Sequence, residues 1–301
     1  MNKSKELAIV KELTNVVDEN SIVLNEVGWT SRVYIVNKGE VVFKFLKNKE
    51  YQEEFEHEIN ILKLIKEHKF NVNIPLISKL GEDNTYIVFD GISGKSMTTE
   101  FVDTLTEEQK RKIGTQVGLF LKTLHAIDYK GKSPSNENDI IEWFQKSFNK
   151  RKQTLKTYFN ENELIAIENL VRTLPQKSQK FGIEQVFCHG DLGYNNILLA
   201  DNFEVGVIDF GDAGYNDKSY DFTGLEDDNM LNAAILAYGG DEILRMKIEI
   251  RRQLLPLMEM LFLIDKKDKV GIEKCAEKMR VNLKTEYYVI NLEQKKLTSK
   301  I

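Results

Sequence analysis

Between Cys188 and Gly214 the chain reads CHGDLGYNN, then ILLADNFEVGVIDFGDAG. ILLA and EVGVI have the look of two short strands joined around Asp201-Asn202, which makes a hairpin. Asp191 and Asn196 then lie on a loop just before the hairpin, and Asp209 lies just after it. A hairpin returns the chain to its starting point, so these three side chains converge. Few local patterns bring two carboxylates and an amide together so directly.

Three chemistries compete for such a cluster. A Cys188–His189 dyad is disfavoured, because adjacent side chains at the end of a strand point to opposite faces. A zinc site is disfavoured too: the chain has 4 histidines and no pair at ligand spacing. Carboxylate and amide oxygens suit Mg²⁺, which keeps waters and phosphates among its ligands. Asp191 is then left to orient a hydroxyl and accept its proton.

Two upstream charges stand where apolar residues belong. Lys44 is in the middle of VVFKFL (Val41–Leu46), on one face with Val42 and Leu46. Glu58 lies on the apolar stripe of a helix, between Phe55 and Leu62. An unpaired buried charge costs several kcal/mol. The two are tolerable if they meet each other or a charged ligand, or if both snorkel to solvent. A strand lysine followed by a helix glutamate is the pair with which protein kinases position nucleotide phosphates.

Length and composition narrow the rest. At 301 residues the chain allows one large domain or two lobes. A net charge of −5 argues against nucleic acid as a ligand and fits a cationic small substrate better. The 2 cysteines, Cys188 and Cys275, imply no disulfide framework and a reducing, cytoplasmic setting. The start, MNKSKELAIVKELTNVV, reads as an amphipathic helix and not as a signal peptide. The run Leu254–Ile264 is too short to cross a bilayer and carries Pro256 and Glu259. No membrane association is expected.

The first ninety or so residues read as strands with one helix over YQEEFEHEINILKLIKEH. TYIVFD (Thr85–Asp90) is a second strand, preceded by the turn GEDN. Past about residue 100, helical periods dominate over 105–127, 137–158, 161–174, 228–237 and 241–283. The expected class is α+β: a small antiparallel-sheet N-terminal lobe over 1–91, and a larger, mainly helical lobe over 92–301. DGISGKS (Asp90–Ser96) forms the crossing.

With HGDLGYNN and IDFGDAG in place, the chain resembles the aminoglycoside phosphotransferase family, within the small-molecule kinases of protein-kinase-like, two-lobed fold. DFGDAGYNDKSYDFTGLEDD is most similar to the branch that phosphorylates the 2″ hydroxyl of gentamicin- and kanamycin-type aminoglycosides. The resemblance implies Asp191 as catalytic base and Asn196 and Asp209 as Mg²⁺ ligands. Lys44 and Glu58 then position the phosphates of ATP or GTP, and His189 orients the loop. The nucleotide base lies against the backbone of the Val88–Ile92 connection, through Phe89, Asp90, Gly91 and Ile92. A monomer is expected.

Two departures stand out. The glycine-rich loop is reduced to NEVGWTSRVY, whose only glycine is Gly28, so Thr30, Ser31 and backbone amides must cradle the phosphates. Asp217-Lys218 stands where the family often has Asp-Pro; Asp221 keeps the later acidic position, with a structural role expected. Glu226, Asp227 and Asp228 open the next helix. They suit substrate ammonium groups, and acids also serve a helix N-terminus directly; both readings stay open. A polypeptide kinase is disfavoured, because no Ala-Pro-Glu follows a long activation segment. Two rivals remain: a metabolic kinase of choline, homoserine or a sugar, and a non-catalytic nucleotide-binding regulator. The intact Lys44, Asp191, Asn196 and Asp209 argue against the regulator.

Overall fold

A computed structural model describes residues 2–16, 18–28, 30–131 and 137–285. In chain order its elements begin with α1 (Lys3–Thr14), β1 (Ile22–Asn25), β2 (Ser31–Val36), β3 (Val41–Leu46), α2 (Gln52–Ile65), β4 (Leu76–Leu80) and β5 (Tyr86–Asp90). Next come β6 (Lys95–Ser96), α3 (Thr99–Asp103), α4 (Glu107–Leu124), α5 (Glu137–Leu155) and α6 (Glu161–Lys180). The last are β7 (Gln185–Cys188), β8 (Ile197–Leu199), β9 (Val205–Val207), β10 (Gly214–Asp217), α7 (Asp228–Tyr238), α8 (Glu242–Lys266) and α9 (Lys269–Thr285). One compact unit takes Met1–Lys132, Phe187–Gly214 and Gly224–Gly239; the other takes Ser133–Val186, Tyr215–Thr223 and Gly240–Ile301. Among the described residues no helix is long and apolar enough to cross a membrane.

The first unit is built on an antiparallel sheet in the order β1-β2-β3-β5-β4. Alternation along β3 decides its two faces. Phe43 and Phe45 join Tyr34, Val36 and Val88 in a core that Val10 of α1 completes. Each such side chain contributes roughly 1.5–3 kcal/mol when fully buried. Lys44 falls on the other face, opposite Val33 on β2 and Ile87 on β5. Asn2 caps α1 by accepting from the Lys5 N–H, and the helix stops at left-handed Asn15. Glu6 of α1 is buried, held by the Arg32 guanidinium and the Tyr34 hydroxyl.

A second sheet, β6-β8-β9, carries the expected hairpin, with Leu198 opposite Gly206. Beside it lie α4 and α7. A Thr106–Gln109 capping box starts α4, and Ile113, Val117, Phe120, Leu121 and Leu124 make its buried stripe. Gly114 and Gly118 let the two helices touch. A Cβ at Gly118 would lie 2.2 Å from the Ala234 carbonyl oxygen, and one at Gly114 2.1 Å from that of Met230.

The second unit is helical. α5, α6, α8 and α9 enclose Phe148, Leu155, Ile167, Leu257, Met260 and Met279. Pro256 within α8 cannot donate to the Arg252 carbonyl. The Asn282 side-chain amide donates to that oxygen instead, at 3.2 Å. The helical period expected over 241–283 is two helices in the structure. Lys267 turns left-handed, and the N–H groups of Lys267 and Asp268 close onto the Ile264 and Leu263 carbonyls. The helix expected over 161–174 runs on to Lys180 through Pro175.

Gly118→Ala is expected to destabilise the protein by about 1–3 kcal/mol, because α4 and α7 must part or shift. A lowered urea midpoint checks this; an unchanged one refutes the close approach.

Candidate active site

The hairpin brings its flanking groups together as the spacing requires. The Ile208 N–H donates to the Asn196 carbonyl at 3.0 Å, so the end of β9 is tied to the start of β8. The Asn196 side-chain amide donates to the Asp191 carboxylate at 2.9 Å and to the Asp191 carbonyl at 2.7 Å. With its nitrogen spent on Asp191, Asn196 has its amide oxygen to offer a cation. Buried His189, just past β7, links the loop to the end of β9, with Nε2 3.0 Å from the Ile208 carbonyl. Its Nδ1 accepts from the Asp191 N–H at 3.3 Å, so the ring carries its proton on Nε2. Both nitrogens meet backbone groups, and buried Cys188 gains no base from this ring.

Lys44 and Glu58 meet. The lysine Nζ lies 2.7 Å from Glu58 Oε2 and 2.9 Å from Asp209 Oδ1. Burial works to lower the Lys44 pKa, but the charges of Glu58 and Asp209 outweigh it and hold it above the ordinary value. Asp209 is held low against its own burial by Lys44. Glu58 is pushed up by burial, against the pull of Lys44. Asp209 has a left-handed backbone, φ 66°, which a non-glycine residue adopts at some strain.

Asp212 joins this group and was not singled out from the sequence. The residue as a whole is exposed, but surrounding protein shields its carboxyl in part, and that desolvation and then the Asp209 charge push its pKa up. Surrounding protein and then the Asp212 charge lift Asp191 from 3.8 to about 6. An acid just past Phe-Gly was the available signal. Lys44 against Glu58, Asp191, Asp209 and Asp212 leaves a formal surplus of three negative charges (one minus four). All the donors are oxygens. That set fits a hard divalent cation such as Mg²⁺, with Asp209 and Asn196 as its holders.

The other residues expected on the nucleotide side lie on β2 and β5 or next to them in the chain. The β2–β3 register puts Ser31, buried, on the Lys44 face, opposite Leu46. Thr30 is one residue out of phase, its carbonyl accepting from the Lys47 N–H. Gly28 packs on Ser31, and its carbonyl is held by the Lys47 ammonium. Phe89 is buried opposite Val42, and Asp90 is exposed. The Gly91 N–H donates to the Glu40 carbonyl at 2.8 Å. The Ile92 side chain lies over Gly206.

The sequence over residues 21–247 matches the model of the phosphotransferase enzyme family, APH. The chain belongs to that family. This phosphotransferase also shares its fold with solved relatives along nearly its whole length. The GDP and kanamycin complex of APH(2″)-IIIa matches at TM-score 0.81 and 19% identity, over 94% of this chain and 100% of that one. The gentamicin complex of APH(2″)-IIa matches at TM-score 0.72 and 18% identity, over 93% and 96%. A choline/ethanolamine kinase family protein from Mesorhizobium loti matches at TM-score 0.66 and 14% identity, over 94% and 96%. The fold is therefore kinase-like, with an antiparallel-sheet N-terminal lobe and a helical C-terminal lobe.

The acidic trio of this phosphotransferase lines a cavity of about 370 Å³, with Thr99, Val102, Asp103, Tyr194 and Asn229. The three acids are not equivalent. Asp227 caps α7, Oδ1 accepting from the Met230 N–H at 3.0 Å, while Oδ2 meets the Lys110 ammonium at 2.8 Å. Glu226 and Asp228 are exposed, and Glu226 accepts from the Thr99 hydroxyl at 3.3 Å. Asp103 and Tyr194 were not singled out from the sequence; the available signal for Tyr194 was its place between Asp191 and Asn196.

The Asp191 pKa has a consequence for stability. An acid whose folded pKa exceeds its unfolded value weakens the fold once ionised; the loss is absent below pH 3.8 and complete above about 6. Asp191→Asn is therefore expected to raise stability at pH 7–8 by on the order of 1 kcal/mol, discounted for the exposure of the group. Thermal melts from pH 4 to 8 check this: the gain should vanish toward pH 4, and a pH-independent difference refutes the cause.

Proposed function

We propose that this phosphotransferase moves the γ-phosphate of ATP or GTP to a hydroxyl of an aminoglycoside, with Mg²⁺, and so confers resistance. Residues 1–91 then serve as the nucleotide lobe, and residues 92–301 supply the base and the acceptor site. The observation that carries the reading is the acid-lined cavity, which shares Tyr194 with the loop that bears Asp191. An acceptor with several ammonium groups matches Asp103, Glu226 and Asp228. A lone quaternary ammonium, as in choline, calls for an aromatic cage, and Tyr194 is the one aromatic residue named among the lining. The likeness to APH(2″)-IIIa, solved with GDP and kanamycin, points the same way.

In this reading Asp191 Oδ2 is fixed by Asn196, which orients the carboxylate for the acceptor hydroxyl. The hydroxyl proton passes to Asp191 as its oxygen bonds to the γ-phosphorus. The bond to the β–γ bridging oxygen breaks, and the nucleoside diphosphate leaves. Lys44, braced by Glu58, meets the phosphates. Mg²⁺ held by Asp209 and Asn196 would neutralise phosphate charge. Catalysis is mostly positioning and charge neutralisation.

Three measurements test this. The first is phosphorylation of kanamycin- and gentamicin-type aminoglycosides, choline and homoserine with each nucleotide; activity on the small alcohols alone overturns the aminoglycoside reading. The second concerns the base. Turnover should fall on the acid side near the Asp191 pKa of about 6, and Asp212→Asn should move that limb to lower pH by removing a like charge. Asp191→Ala should abolish turnover and leave nucleotide affinity near native; retained turnover removes Asp191 from the role. The third concerns the acceptor. Glu226→Gln with Asp228→Asn should raise its KM roughly tenfold, about 1.4 kcal/mol, without disturbing the Asp227 cap. Added salt should raise the acceptor KM more than the nucleotide KM. A native acceptor KM in the double variant moves the substrate site elsewhere.

A further inference from the structure

We propose that Tyr194 is the positioning residue that registers the acceptor cavity against Asp191. The inference rests on the acceptor reading above. Tyr194 follows Asp191 by three residues and precedes Asn196 by two (194 − 191 and 196 − 194), within the same loop. It bonds to both walls of the cavity. On one side its backbone carbonyl accepts from the Met97 N–H at 3.1 Å. Met97 leads directly into Thr98, whose hydroxyl caps α3, and α3 supplies Thr99, Val102 and Asp103 to the cavity. On the other side its hydroxyl accepts from the Asp227 N–H at 2.8 Å, at the start of α7. α7 and its approach supply Glu226, Asp227, Asp228 and Asn229.

The ring is buried and has no freedom to follow one wall alone. A second tie lies one residue earlier. Gly193 and Gly224 form a parallel bridge, and a Cβ on Gly224 would lie 2.3 Å from the Leu192 carbonyl oxygen. The backbone approaching α7 is thus pressed against the loop that carries the base. The far side of Asp227 is tied differently, by Lys110 from α4, which has no part in that loop.

The consequence is geometric. Tyr194 is the residue that bonds to both walls, so an acceptor ammonium held by α3 or α7 has its hydroxyls placed relative to Asp191 in part through Tyr194. In-line transfer is sensitive to displacement of the reacting oxygen by an ångström or so. Loss of the Tyr194 hydroxyl loosens the α7 wall at Asp227, leaving the Gly193–Gly224 bridge and the ring in place. The Asp227 carboxylate still caps its helix, so the wall remains folded but loses its register.

Tyr194→Phe and Lys110→Met are to be compared with wild type, using kanamycin as acceptor and both nucleotides. Tyr194→Phe should raise acceptor KM about fivefold, the value of one hydrogen bond of roughly 1 kcal/mol. It should also raise the ratio of nucleotide hydrolysed to acceptor phosphorylated, and spread phosphate over more than one hydroxyl as read by NMR. Nucleotide KM should stay within about twofold, because the phosphate-side groups are untouched. Lys110→Met should raise acceptor KM and keep hydrolysis coupled. Native coupling and one product in Tyr194→Phe overturn the inference, as does the same behaviour in both variants, which would mark a merely structural role. Hydrogen exchange on wild type reads the same link without a substitution. Kanamycin should slow exchange in residues 191–196 together with 226–230, and protection confined to 226–230 overturns the proposal. A wild type that neither binds nor phosphorylates kanamycin overturns the acceptor reading and this inference together. A wild type that does, beside an unchanged Tyr194→Phe, overturns the inference alone.

Discussion

The Lys44 ammonium, shared between Glu58 and Asp209, is the contact on which the site depends. It links β3, α2 and the end of the hairpin strand β9. Breaking the Lys44–Glu58 link leaves a buried charge uncompensated, which costs several kcal/mol, whereas Asp209 is half exposed and loses less. His57 adds a strut from α2, with Nε2 2.7 Å from the Ala213 carbonyl, just past Asp212. The segment from Asp209 to Ala213 is thus fastened to Lys44 of β3 at one end and to α2 at the other.

That fastening explains how four carboxylates coexist in one place. Glu58 and Asp209 share Lys44, Asp191 takes a hydrogen bond from Asn196, and Asp212 reaches solvent. Desolvation and, second to it, the mutual repulsion that remains raise the pKa values of Asp191 and Asp212. The left-handed Asp209 backbone is a second sign of stored strain. A divalent cation would offset the repulsion, since the surplus charge is of the sign that a metal ion removes.

The centre was legible in the sequence for a local reason: a hairpin's geometry needs no knowledge of the rest of the fold. Lys44 and Glu58 were legible because each interrupts an apolar face. What escaped depends on distant partners or on backbone detail. Asp227 reads as one acid of three, and only Lys110, 117 residues away, shows that its carboxylate is taken. Tyr194 reads as one aromatic among many until its bonds to Met97 and Asp227 are seen. The break between α8 and α9 lies at Lys267, where no glycine marks the left-handed turn. The strands β1, β2 and β4 were not picked out individually; β1 and β4 are largely exposed, so burial gives them little pattern.

Buried charge alone does not mark function here, and the contrast among three buried pairs shows what does. Glu6 is enclosed by Arg32 and Tyr34. Asp217, which stands before Lys218 where the family often has proline, is enclosed by Lys247, Ser219 and the Glu184 N–H. In both cases the carboxylate is fully buried and its partners surround it. Exchange with a ligand there would first require unpacking the fold. Lys44 differs in its second partner. The Asp209 side chain is 52% exposed although Lys44 and Glu58 are buried. A phosphate can therefore approach the ammonium from the Asp209 side while Glu58 keeps it charged and in place. An ion pair that is buried on one side and open on the other holds a charge ready for an incoming anion, whereas a pair closed on every side holds only the fold.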